Sequence, residues 1–327
     1  MISLTNTSVI FLSALLLVLS LGKRSLGSPL PGLVAYWGQS SDDDEFTLDQ
    51  MCWMYSTVNI GFLDKFGGGQ EPELNLGKHC TQDCCTKLSR QITRCQRMGV
   101  KVFISLGSDG NYTLTSKEDA KKVADYIWMA FLGGNDYGLT FRPLGNAVLD
   151  GVDLYIKKSP KNDPTRDFWH ELTASLKEHD DPEGKRVYVS ASPQCPYPDP
   201  YLDRAINNGS VDYVWPRFFN NPSCQYGDDG DQSKLLATYT LWTRSVPSTV
   251  QAVAVGIPAS RDQAPEGGYM ESSIVRDDIC TTVYTNALYG GIMLYSFNGL
   301  ELYPFAKTLE VSGECIAKRQ GIVSSSM

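Results

Sequence analysis

The sequence predicts an α/β fold: a single (β/α)8 TIM barrel around a parallel eight-stranded core. Three observations predict it. Eight short β-branched or aromatic runs recur along the chain, most are separated by a stretch with helical spacing, and no Ser/Gly/Pro linker or internal repeat divides them. An open, doubly wound sheet is the weaker alternative for the same alternation.

The ends of the chain are set apart first. Met1 to Ser8 is polar and uncharged, Val9 to Leu21 is almost wholly apolar, and small residues follow at Gly22, Gly27 and Ser28. The apolar run is short for a bilayer span and no second one follows, so residues 1–27 read as a secretory signal peptide. Residues 28–309 are then the barrel and 310–327 a C-terminal tail. About 300 residues remain after cleavage, enough for one large α/β domain. Losing Lys23 and Arg24 with the signal moves the formal charge from −8 to −10. Such an acidic, secreted chain is expected to avoid nucleic acid and membranes and to be a monomer. Nine cysteines in that setting imply disulfides, with at least one thiol left over. Sequons at Asn111 and Asn208 are glycosylation candidates.

In chain order, the strands are expected at residues 33–38, 56–63, 101–107, 148–156, 186–192, 212–219, 252–260 and 290–297. Helical spacing marks residues 87–98, 118–131, 165–178, 234–244 and 272–287. The acidic run Asp42 to Glu45 reads as a solvated loop, with calcium as the weaker alternative, and Asp228, Asp229 and Asp231 read the same way. No metal and no cofactor is expected.

The fourth strand lies in AVLDGVDLYIKKSP, residues 147–160. Strand alternation sends Asp153, Tyr155 and Lys157 to one side and Val152, Leu154 and Ile156 to the other. In this fold, function sits at the strand C-termini. The residues there include Gln39, Asp64, Ser108, Asp109, Tyr155, Lys157, Gln194, Arg217, Phe219, Arg261 and Tyr295. That polar and aromatic set suits a sugar cleft, where rings stack on pyranose faces and polar groups bond hydroxyls. The bland alternative is a solvated barrel mouth.

Seven segments in order, LVAYWGQ, VNIGFLDKFGGGQ, CQRMGVKVFISLG, RPLGNAVLDGVD, SPQCPYPD, DYVWPRFFNNPSCQY and YGGIMLYS, carry a family resemblance. The chain resembles the plant class III (hevamine-like) chitinases of glycoside hydrolase family 18. This resemblance implies the barrel, a defence-related carbohydrate-binding role, and secretion to the apoplast, with the vacuole as an alternative. It also implies disulfides Cys52–Cys95, Cys80–Cys85 and Cys195–Cys224. Cys84, Cys280 and Cys315 are then extra, and their pairing stays open.

The family's chemistry, as the resemblance implies it, needs D-G-x-D-x-D-x-E on the fourth strand. The final Glu protonates the glycosidic oxygen, and the substrate's own acetamide attacks the anomeric carbon. Asp150, Gly151 and Asp153 fit, but Tyr155 replaces the next Asp and Lys157 replaces the acid. Phe219 stands for the Tyr that bonds the acetamide, Arg217 for a Gln, and Tyr295 for the Trp under the sugar. A lysine with a pKa near ~10.4 is a poor proton donor here, and its charge opposes a developing oxocarbenium ion. Loss of the acid alone costs ~10²–10⁴ in rate. The catalytic set is therefore expected to be degenerate (Asp150, Asp153, Tyr155, Lys157, Phe219), and the protein a pseudoenzyme. Asp153, Tyr155, Lys157, Gln194, Arg217, Phe219 and Tyr295 are expected to line a ligand cleft, with Asp153 as a candidate ion partner for Lys157. Partners are expected to be a chitin-type oligosaccharide or a microbial glycosidase, as for a lectin or xylanase inhibitor. Weak endochitinase or lysozyme-type hydrolysis through Asp153 or Asp109 is the alternative.

Overall fold

The computed structural model describes residues 32–39, 46–79, 85–134, 142–157, 168–180, 184–295, 299–310 and 315. The expected signal, the run Asp42 to Glu45, Cys80, Cys84 and most of the tail lie outside them.

Eight parallel strands close a barrel. They are β1 (Gly32–Trp37), β2 (Thr57–Gly67), β4 (Lys101–Tyr112), β5 (Gly151–Ile156), β6 (Tyr188–Ala191), β7 (Tyr213–Val214), β8 (Ala252–Pro258) and β9 (Tyr289–Tyr295). Each pairs in parallel with its neighbour in that order, and β1 pairs with both β9 and β2, which closes the ring. All eight fall within or beside the expected runs. A ninth strand, β3 (Gln70–Leu74), returns antiparallel along β2.

Helices α1 (Leu48–Met51), α2 (Leu88–Arg97), α3 (Lys117–Ile127), α4 (Trp169–Lys177), α5 (Asp203–Asn207), α6 (Ser233–Ser245) and α7 (Gly299–Glu310) are added. The expected helix 118–131 changes to π-helix over Trp128–Leu132. The one expected over 272–287 is a short helical series with a π stretch at Val275–Cys280. Strands such as β8, AVAVGIP, are buried throughout because helices cover one face and the barrel interior the other.

Two apolar layers result. Val58, Ile60, Val152, Leu154 and Ile156 face the helices, while Val34, Tyr36, Phe62, Phe103, Tyr155, Trp215, Met293 and Tyr295 fill the interior. The alternation read for the fourth strand holds over β5; Lys157 lies just past its end. Gly107 is required opposite Tyr155. Its φ is +111°, and a Cβ there would lie 2.5 Å from the Tyr155 carbonyl oxygen.

Disulfides join Cys52 to Cys95 and Cys195 to Cys224, as the resemblance implies. Cys85 is also bridged, but Cys80 lies outside the described residues. Of the extra cysteines, Cys280 pairs with Cys315 and so ties the segment after α7 to the helical series before β9.

Candidate functional site

Asp153 points into the barrel from the middle of β5 and is fully buried. Its Oδ2 accepts hydrogen bonds from the hydroxyls of Tyr36 (2.8 Å) and Ser105 (2.7 Å). Its Oδ1 accepts from Ser190 (2.8 Å) and Ser192 (3.1 Å). Burial pushes the carboxyl pKa up, and the four hydroxyl donors oppose that without cancelling it. Asp153 is thus a knot binding β1, β4, β6 and the chain just past β6 to β5. The expected Lys157–Asp153 ion pair is not formed, because strand alternation keeps Asp153 deep while Lys157 leaves the strand at its rim.

Tyr155 sits one turn of the pleat above Asp153 and is 1% exposed. Its ring stacks on Tyr295 at 5.1 Å and 7°, and meets Tyr36 at 5.3 Å and Phe62 at 5.5 Å. Phe219 stacks on Tyr295 at 5.4 Å and 29°. The Arg217 guanidinium lies 4.2 Å from the Tyr155 ring centroid, where the cation meets the π face. Arg217 Nη2 donates to the Ile156 carbonyl (3.1 Å) and Nε to the Pro193 carbonyl (3.3 Å). Burial opposes its charge, but Tyr155 and the buried Asp199 outweigh burial and hold its pKa above the ordinary value. Burial, then Tyr155, drives the Tyr295 hydroxyl well above its usual range.

The residues expected to line a cleft differ in burial. Asp153, Tyr155, Arg217, Phe219 and Tyr295 do converge, but they pack on one another and are buried.

Lys157 and Gln194 alone of the expected cleft set keep partial exposure. Lys157 Nζ is 2.8 Å from Asp109 Oδ2, and the two side chains are 31% and 82% exposed. The Lys157 amide donates to the Tyr112 hydroxyl at 3.0 Å, which fixes where the side chain departs. Gln194 donates its amide to Asp199 Oδ2 at 2.8 Å and bridges to Arg217. Asp150 belongs to the other end of the barrel: its Oδ2 takes the Val102 amide (2.9 Å) and Gln96 Nε2 (3.0 Å). That role is structural. Asn111 and Asn208 are both exposed.

Sequence reading missed the hydroxyl cage of Tyr36, Ser105, Ser190 and Ser192. A signal existed: Ser190 and Ser192 alternate on VSAS, and Ser105 and Ser190 pair in register with Asp153 on either side. Small hydroxyls facing a carboxylate from neighbouring strands are what a buried charge needs.

Residues 32–297 match the model of Glycosyl hydrolases family 18. The chain belongs to that family. Among family 18 relatives, an acidic endochitinase of Cicer arietinum is 41% identical over 285 residues, covering 86% of this chain and 90% of its own. The ICChI chitinase of Ipomoea carnea superposes with a TM-score of 0.77 at 36% identity, over 86% of this chain and 99% of its own. A xylanase and alpha-amylase inhibitor protein of Scadoxus multiflorus also gives 0.77, at 34% identity over 88% and 100% of the two chains. Family 18 likeness of this kind therefore spans both enzymes and an inhibitor.

Proposed function

We propose that this protein is a secreted, non-hydrolytic member of family 18 that acts by binding a chitin-type oligosaccharide or a microbial glycosidase. One observation carries the reading: Tyr155, Arg217, Phe219 and Tyr295 are buried and packed on one another at the C-terminal side of the barrel. A sugar ring held for acetamide attack needs open space there. Lys157 in ion pair with Asp109 stands where the acid is needed, so the rim supplies a cation to a reaction that itself develops positive charge. Lys157 is also too exposed for the desolvated amine that a Schiff-base mechanism requires.

The endochitinase relative favours a second reading, weak hydrolysis. Its carboxylates are poorly placed. Asp153 is sealed by four hydroxyls, and Asp109 is engaged by Lys157.

Binding is tested on the secreted protein with calorimetric titration of chitotetraose and a panel of fungal xylanases and amylases. Heat of binding, or stoichiometric loss of activity of one panel enzyme, is expected. A flat result in both arms would refute a binding role.

A further inference from the structure

The chain just after α1 meets α7 where the Tyr55 hydroxyl donates to the Leu302 carbonyl at 3.2 Å. Between them runs a groove of about 380 Å³ whose lining includes Phe46, Gln50, Trp53, Tyr303 and Lys307. Four large hydrophobic side chains are exposed among the described residues, and two of them, Trp53 (69%) and Tyr303 (46%), share this groove. Phe46 holds the Tyr303 ring edge to face at 5.8 Å and 87°. Gln50 is held too. Its Oε1 accepts from the Thr47 amide (2.8 Å) and hydroxyl (3.0 Å), so Nε2, without a partner among the described residues, is the group it offers.

We propose that this flank groove binds a pyranose sugar, at a site separate from the strand C-termini. A pyranose ring presents an apolar C–H face and a rim of hydroxyls. Two exposed aromatic rings beside a fixed amide donor match both parts. The volume lies near the lower end of the ~300–1,000 Å³ range for ligand sites, suited to a ring or two. A protein partner fits less well. It would have to recruit surface well beyond the groove, because two aromatic side chains supply a few hundred Å² at most of the ~800 Å² per partner in a standard interface. The proposal does not rest on the loss of hydrolysis at the mouth.

The test uses the secreted full chain with chitotriose, cellotriose and xylotriose as probes, read by ¹⁵N NMR at the tryptophan indoles and by calorimetry. At least one triose is expected to shift the Trp53 indole signal. Trp53→Ala is expected to weaken that binding about tenfold or more, and Trp53→Phe to retain part of it. Because Trp53 is exposed, both variants are expected to keep the wild-type melting temperature, which checks folding. Failure of all three trioses to bind would overturn the proposal. Binding indifferent to Trp53→Ala would also overturn it and return the sugar to the mouth. Self-association removed by Trp53→Ala without any sugar effect would overturn it in favour of a second copy of the chain.

Discussion

Replacing Tyr155 with alanine removes the ring on which the barrel mouth is packed. The wild-type ring is 1% exposed and touches Tyr295, Tyr36, Phe62 and the Arg217 guanidinium. Truncating a buried aromatic costs about 3–5 kcal/mol through lost transfer energy and the cavity left behind. The upper half of that range is expected, because stacked and edge-on ring pairs contribute beyond area. Arg217 would also lose its π partner inside the protein. Against a total stability of about 5–15 kcal/mol, the change is large. Urea unfolding followed by fluorescence, with the disulfides intact, measures it as a fall in midpoint at unchanged slope. Tyr155→Phe is the control. It keeps the ring and its stacking and cation–π contacts, so it is expected to cost clearly less than Tyr155→Ala. A cost for Tyr155→Ala of about 0.5 kcal/mol or less, as for a surface site, would refute the packed mouth.

Two further outcomes follow from the buried groups. Burial raises the folded pKa of Asp153 above its unfolded value, so its contribution is fully present below the unfolded pKa of ~3.9 and is lost as pH rises through the folded pKa. Asp153→Asn is expected to flatten that part of the stability profile in urea titrations across pH; an unchanged profile would contradict the assignment. The Cys280–Cys315 bridge closes a separation of 35 residues. On chain-entropy grounds, the double serine variant is expected to lose about 2–4 kcal/mol, read from the shift in melting temperature.

The barrel was legible because parallel strands buried on both faces leave continuous apolar runs, as in AVAVGIP of β8. What escaped was short or locally discouraged. Strand β3, QEPEL, carries Pro72 and two glutamates and forms only as an antiparallel edge on β2. Helix α1 has four residues, too few for a period, and α7 contains Pro304. At the site, the expectation that Tyr155 and Lys157 stand in the places of carboxyl groups came from the resemblance alone. Where the new side chains go was not in the pattern. Alternation gives a side, not a depth. Only packing shows that Arg217 turns inward onto Tyr155, that Asp153 is claimed by four hydroxyls, and that Lys157 reaches outward to Asp109.

Turnover of chitotetraose by the purified protein, followed by mass spectrometry across pH, tests the central claim most directly. With the proposed loss of the acid, no product above the uncatalysed background is expected at any pH. Steady release of shorter chitin oligosaccharides, abolished by Asp153→Ala in a variant that still folds, would contradict it.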